Sequence, residues 1–213
     1  MRILLLCLLM AVVPLSRADL AAARVNGVEI SVMRLERYFT EYLQDQGRAV
    51  TSIRNPNLYK RLREQALDEL IDKELLWQEA QRRGIVVGDE AVSAQIGQLE
   101  QAFGSPVVFE QRLAEAGFNR ADFADYTRHE MAAQRAYAQL SAVDEPSAAE
   151  VEAFYQANRQ TLQGAQNQSD NTSVIPEQGL ALARVALAEQ LQAKARQSVR
   201  QRLRESAQVE RSD

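Results

Sequence analysis

A chain of 213 residues with 25 basic and 29 acidic side chains, a net charge of −4 and no basic stripe is a poor partner for nucleic acid or an anionic membrane surface. Its one Cys and one His exclude a Cys-based metal cluster, and no GxGxxG or GxxxxGK[ST] loop is present to cradle phosphates. At this length one or two domains bury enough apolar surface to fold without disulfides.

Residues 1–18 read as a cleavable secretory signal peptide. Met1 and Arg2 form a short positive start, Ile3 to Val13 is an unbroken apolar run, and Pro14 breaks it. Ser16 and Ala18 place small residues at the −3 and −1 positions of a cut between Ala18 and Asp19. The run falls short of the about 20 apolar residues that span a bilayer. Cys7 lies inside the run and not at its end, which argues against a lipoprotein signal. Cleavage would leave 195 residues without cysteine. Losing Arg2 and Arg17 from 25 basic residues leaves 23 against 29 acids, a net charge of −6. The mature chain then has no disulfide and no thiol nucleophile, so a packed core must hold it. No later segment is apolar enough to cross a membrane, so a soluble exported protein is expected.

Arg24 to Ile30 is a short extended segment around an Asn26-Gly27 turn. Ser31 is placed to cap a helix whose Leu35, Tyr38, Phe39, Tyr42 and Leu43 share one face, with Gly47 as its stop. A long helix is predicted over Asn57 to Arg83. There Leu67, Leu70, Ile71 and Leu75 repeat at helical spacing, Leu76 and Trp77 widen the stripe, and Gly84 ends it. Asp89 is expected to cap a helix through about Phe103. Gly104-Ser105-Pro106 is a turn before a short helix over Val107 to Ala116. Asn119 caps a helix over Arg120 to Leu140, with Phe123, Tyr126, Ala133 and Tyr137 on one side. Ser147 and Glu150 fit a capping box, and their helix carries Val151, Phe154 and Tyr155. From Gln163 to Gln178 the composition turns polar and rich in Asn, Gln and Ser, as in a linker or mobile loop. A last helix, from about Gly179 to Ala207, repeats Leu187, Leu191, Ala195, Val199 and Leu203, and Gln208 to Arg211 reads as extended. The expected class is all-α, with about seven helices and a short extended piece at each end.

Residue patterns for catalysis are sparse. His129 sits mid-helix between charged residues, the pattern of a solvated position. Asp68, Glu69, Asp72 and Glu74 alternate with basic residues, as on a solvated face carrying i,i+4 ion pairs. The sequons at Asn167 and Asn171 are short motifs common in Asn/Ser-rich stretches and carry little weight. No catalytic, cofactor-binding or metal-binding residue is predicted. What remains is apolar: Trp77, Phe103, Phe109, Phe118 and Phe123 are candidates for the core or for a peptide-binding groove.

The order of these elements resembles the N-terminal domain of the SurA-type periplasmic chaperones and related parvulin foldases. The stretches that carry the resemblance are RVNGVEIS, ALDELIDKELLWQEAQRRGIVVGDEAV, FGSPVVFEQRLAEAGF and PSAAEVEAFYQAN, with Leu67 to Val92 the most specific. It covers about Ala23 to Leu162 and extends to LRESAQVE in the tail. The resemblance implies a helical core over 19–162 and a last helix and tail over 179–213 packed on it, with Val25 to Ile30 pairing with Gln208 to Arg211. In full-length foldases a parvulin domain sits before the tail. Here that place holds only the linker over 163–178, too short for an isomerase core and without His, Cys or aromatic residues.

The function implied is an ATP-independent periplasmic holdase for unfolded or extended envelope, outer-membrane or secreted polypeptides, without isomerase activity, cofactor or membrane insertion. The alternatives are an accessory subunit of a secretion, pilus or polysaccharide-export machine, and a prolyl isomerase by family label. A monomer and a homodimer swapped through the last helix are both compatible with the pattern.

Overall fold

The computed structural model describes residues 21–167 and 176–212. The signal segment, its Ala18–Asp19 cut, Cys7 and the Asn171 sequon lie outside the described residues. The chain divides into two compact units, one of residues up to Leu67 together with Val209 onward, the other of Asp68–Gln208.

The first unit begins with a hairpin. Strand β1 (Ala21–Val25) pairs antiparallel with β2 (Val28–Ser31). Asn26 and Gly27, at φ 51° and 83°, make the turn; two positive φ values suit the right-handed twist of a two-residue hairpin. Strand β3 (Val209–Arg211) adds to the other side of β1, giving the order β2-β1-β3. The terminal pairing is therefore present, but its partner is Ala23 to Val25 and not the Val25 to Ile30 segment as a whole. Val28 to Ile30 is engaged on the opposite edge of β1, because the turn folds it back there.

Helix α1 (Val32–Asp45) starts where the Ser31 side chain accepts from the Arg34 N–H at 3.1 Å. It buries Leu35, Phe39 and Leu43, four residues apart, while Tyr38 and Tyr42 of the predicted face are half-buried flanks. After a 3₁₀ turn (Val50–Ser52), helix α2 (Pro56–Arg82) is capped by Asn55, whose Oδ1 accepts from the Asn57 N–H at 2.9 Å. Its first turns close this unit with buried Leu62 and Ala66, an edge-on Phe39–Tyr59 ring pair and an Arg63–Glu36 ion pair at 2.7 Å.

The second unit holds the rest of α2 and five further helices: α3 (Asp89–Ala102), α4 (Pro106–Glu115), α5 (Arg120–Leu140), α6 (Ala148–Asn167) and α7 (Pro176–Glu205). Asp89 does not cap α3. Gly88 is the cap residue without a side-chain bond, and Asp89 and Glu90 instead place negative charge in the first turn. Ser105 caps α4 with Pro106 in its first turn, and Asn119 caps α5 by accepting from the Asp122 N–H at 2.9 Å. Both helices flanking the polar stretch are longer than the periodicity suggests. Helix α6 runs to Asn167 and α7 starts at Pro176, leaving 168–175 between them outside the described residues. Gly179 is thus interior to α7 and not its start. A Cβ there would sit 2.6 Å from Tyr155 Cε2, so glycine lets α6 and α7 approach.

Among the described residues, the apolar clusters that hold the second unit include the following. One gathers Val92 and Ile96 of α3, Phe109 and Leu113 of α4, and Ala132 and Ala136 of α5. Another joins Leu76, Ala133 and Val199, and a further one packs Val151 and Tyr155 of α6 on Ala183 of α7.

The capping box at the start of α6 forms in both directions. The Ser147 N–H and hydroxyl donate to Glu150 Oε2 at 2.9 and 2.6 Å, and the Glu150 N–H donates to Ser147 Oγ at 3.3 Å. The Ser147 side-chain bond, then its backbone bond, hold the Glu150 carboxyl below the usual value for a glutamate. A lowered folded value contributes stability above the unfolded value and loses it as pH falls through the folded one. Ser147→Ala is therefore expected to lower the urea midpoint at neutral pH, as the loss of a helix cap does. In urea titrations from about pH 7 to about pH 3 the gap to the parent chain should narrow once the solution passes below the ordinary glutamate range, at about pH 4.3. A pH-independent gap would contradict this origin.

Candidate functional site: a crevice in the helical unit

The turns of α2 after Leu67, together with α3, α5 and α7, enclose a crevice of about 890 Å³ within the second unit. This is the size of a small-molecule pocket, and it admits a few side chains of an extended segment rather than a folded domain. Helix α5 supplies most of it, because Phe123, Tyr126, Met131, Ala133 and Tyr137 fall along the side turned to it. Leu76 of α2 and Leu99 of α3 complete the apolar surface.

Charge surrounds this surface in pairs. Lys73 meets Glu130 at 2.6 Å, and Asp72 accepts from Arg204 Nε at 2.5 Å. The same guanidinium reaches Asp68 Oδ1 at 3.3 Å and donates to its backbone carbonyl at 2.9 Å. The hydrogen bond to Asp72 is the largest cause of a raised Arg204 pKa, so this cation is charged at all working pH values. Asp68 and Asp72 thus pair across the fold, with one residue over 130 positions away, whereas Glu64, Glu74 and Glu79 find partners along α2 itself. Tyr137 donates to the Arg196 carbonyl at 3.3 Å, and Gln192 donates to the Ser141 carbonyl at 2.9 Å, tying α7 to α5 beside the crevice.

Of the five aromatic candidates, Phe123 lines the crevice. Phe118 is half-buried behind it, 5.5 Å from Phe123 and 5.3 Å from Tyr126 between ring centres. Trp77 is half-buried and stacks on the exposed His129 ring at 4.0 Å. Phe109 is 1% exposed and belongs to the core, whereas Phe103 is 46% exposed at the end of α3. Tyr126, Leu99 and Met131 also line the crevice, and nothing in the sequence sets them apart from core residues. The face of α5 is visible in its spacing, but the helices packed around it are not.

Among the described residues no group of three His, Cys, Asp or Glu side chains is placed to hold a metal ion, and no helix is long and apolar enough to cross a membrane. A family model, the SurA-like N-terminal domain, matches residues 3–137, well over half of the chain.

The chain belongs to the SurA-like N-terminal domain family.

No curated protein matches it by sequence. Among solved structures, a chain reported with PEB4 and Cj1289, two structurally related SurA-like chaperones of the human pathogen Campylobacter jejuni, superposes with a TM-score of 0.51. Identity is 13%, and the match covers 90% of this chain and 98% of that one. At that identity the likeness is one of fold: the helical SurA-like architecture with its short sheet.

Proposed function

We propose that this SurA-like chain is an ATP-independent periplasmic holdase that binds unfolded or extended segments of envelope proteins and has no prolyl isomerase activity. The crevice carries this reading. Its apolar surface from Leu76, Leu99, Phe123, Tyr126 and Met131 offers burial to client side chains, with hydrophobic transfer as the driving force. The ion pairs at its edge keep the helices in place without filling it. Only positions 168–175 separate α6 from α7, where an isomerase domain would need a core of its own. The acidic net charge favours solubility of the loaded complex.

Dilution of a urea-unfolded outer-membrane protein into the purified chain tests this by light scattering. Near-equimolar chain should suppress aggregation, and absence of protection at severalfold excess would refute the proposal. Leu99→Gln and Tyr126→Ala each remove apolar crevice surface. Each should raise the concentration for half-protection by about fivefold, the effect of losing about 1 kcal/mol of burial, with the urea midpoint checked in parallel.

A further inference from the structure

The crevice charges are not equally satisfied. Lys73 is tied to Glu130, Asp72 to Arg204, and the Arg135 guanidinium donates to the Val86 carbonyl at 3.0 Å. Glu69 also has a partner. Arg200 differs. It lies on α7 at the crevice and is exposed, and it makes no hydrogen bond or ion pair among the described residues. A guanidinium presents a planar fork of donors that matches a carboxylate in two-pronged geometry. Beside an apolar surface, its complement is a segment that is apolar with a carboxylate set into it.

We infer that the crevice selects extended client segments in which an acidic side chain is flanked by apolar residues, the carboxylate pairing with Arg200. This rests on the holdase reading and adds a preference to it. Bulk electrostatics oppose the preference, because a net negative chain repels acidic peptides. At about 0.15 M salt the screening length is about 8 Å, so the distant charges fade while a direct pair persists. The selection therefore belongs to the local pair and not to net charge.

The test uses three peptides with blocked ends, alternating Tyr, Leu and Ser around a central Asp, Asn or Lys, labelled for fluorescence anisotropy at about 0.15 M NaCl. Blocking the C-terminus leaves the central side chain as the only variable charge. The Asp peptide should bind the parent chain about two- to fivefold tighter than the Asn peptide, the range of an exposed ion pair. Arg200→Gln should abolish that ratio with little change for the Asn peptide, and Arg200→Glu should turn the preference to Lys. Equal binding of all three peptides, or a Lys preference by the parent chain, would overturn the acidic selection and leave the holdase reading standing. Failure of every peptide to bind would overturn both.

Discussion

Replacing Phe109 with alanine is expected to destabilise the helical unit by about 3–5 kcal/mol, the usual cost of emptying a buried phenylalanine site. Phe109 is 1% exposed, and it is among the largest fully buried side chains of the chain. Its ring meets Phe123 edge-on at 5.7 Å and Phe103 at 5.9 Å, and the Arg120 guanidinium lies 5.8 Å from its centre. Truncation removes these contacts together, and the helix backbones around the site limit how far it can collapse. The loss is a large fraction of the roughly 5–15 kcal/mol that holds a typical domain together. Urea unfolding monitored by circular dichroism should show a markedly lower midpoint. A loss under about 1 kcal/mol, the size of an average substitution, would mean that α4 is not packed as described. Because Phe123 lines the crevice and rests on Phe109, client protection should fall with stability. Phe109→Leu, which retains much of the volume, should restore most of both.

Removing β3 by ending the chain after Gln208 is expected to destabilise the small sheet by about 3 kcal/mol, from three lost pairings at about 1 kcal/mol each. Val25, fully buried, would also lose its neighbour Val209 on that edge. The effect should be local. Amides of β1 and β2 should exchange about a hundredfold faster, since each 1.4 kcal/mol is roughly tenfold in an opening equilibrium. Unchanged protection over residues 21–31 would contradict the pairing. The tail strand is a far-sequence element, so its contribution is repaid only after a loop of nearly the whole chain has closed. It should therefore be among the last contacts made in refolding.

The features legible in the residues alone are local ones. Ser31, Asn119 and the Ser147–Glu150 box act as caps at the positions their residue types predict, because a cap needs only a side-chain acceptor two or three residues from a free N–H. Asp89 misleads for the same local reason. An acid in the first turn and an acid at the cap differ by one residue, and both are favoured at a helix start. Composition suggests a linker from Gln163, but helix runs to Asn167 and resumes at Pro176. Polar residues such as Gln are good helix formers, so polarity alone does not mark where a helix stops. The aromatic candidates show the limit most clearly. Phe109 and Phe103 lie six residues apart and have the same chemistry, yet one is core and the other faces solvent.

Side-chain periodicity and chemistry within four residues are enough to specify the helical class, the helices with most of their capped ends, the hairpin turn at Asn26-Gly27 and the apolar face of α5. Three outcomes lie beyond their reach. Which strand receives the tail, the joining of Arg204 to Asp68 and Asp72 across more than 130 residues, and the choice of aromatics beside the crevice all arise from packing. They depend on helices far apart in the chain burying their faces against one another. That packing turns the face of α5 from a stripe in the sequence into a wall of the crevice, and leaves Arg200 at its edge.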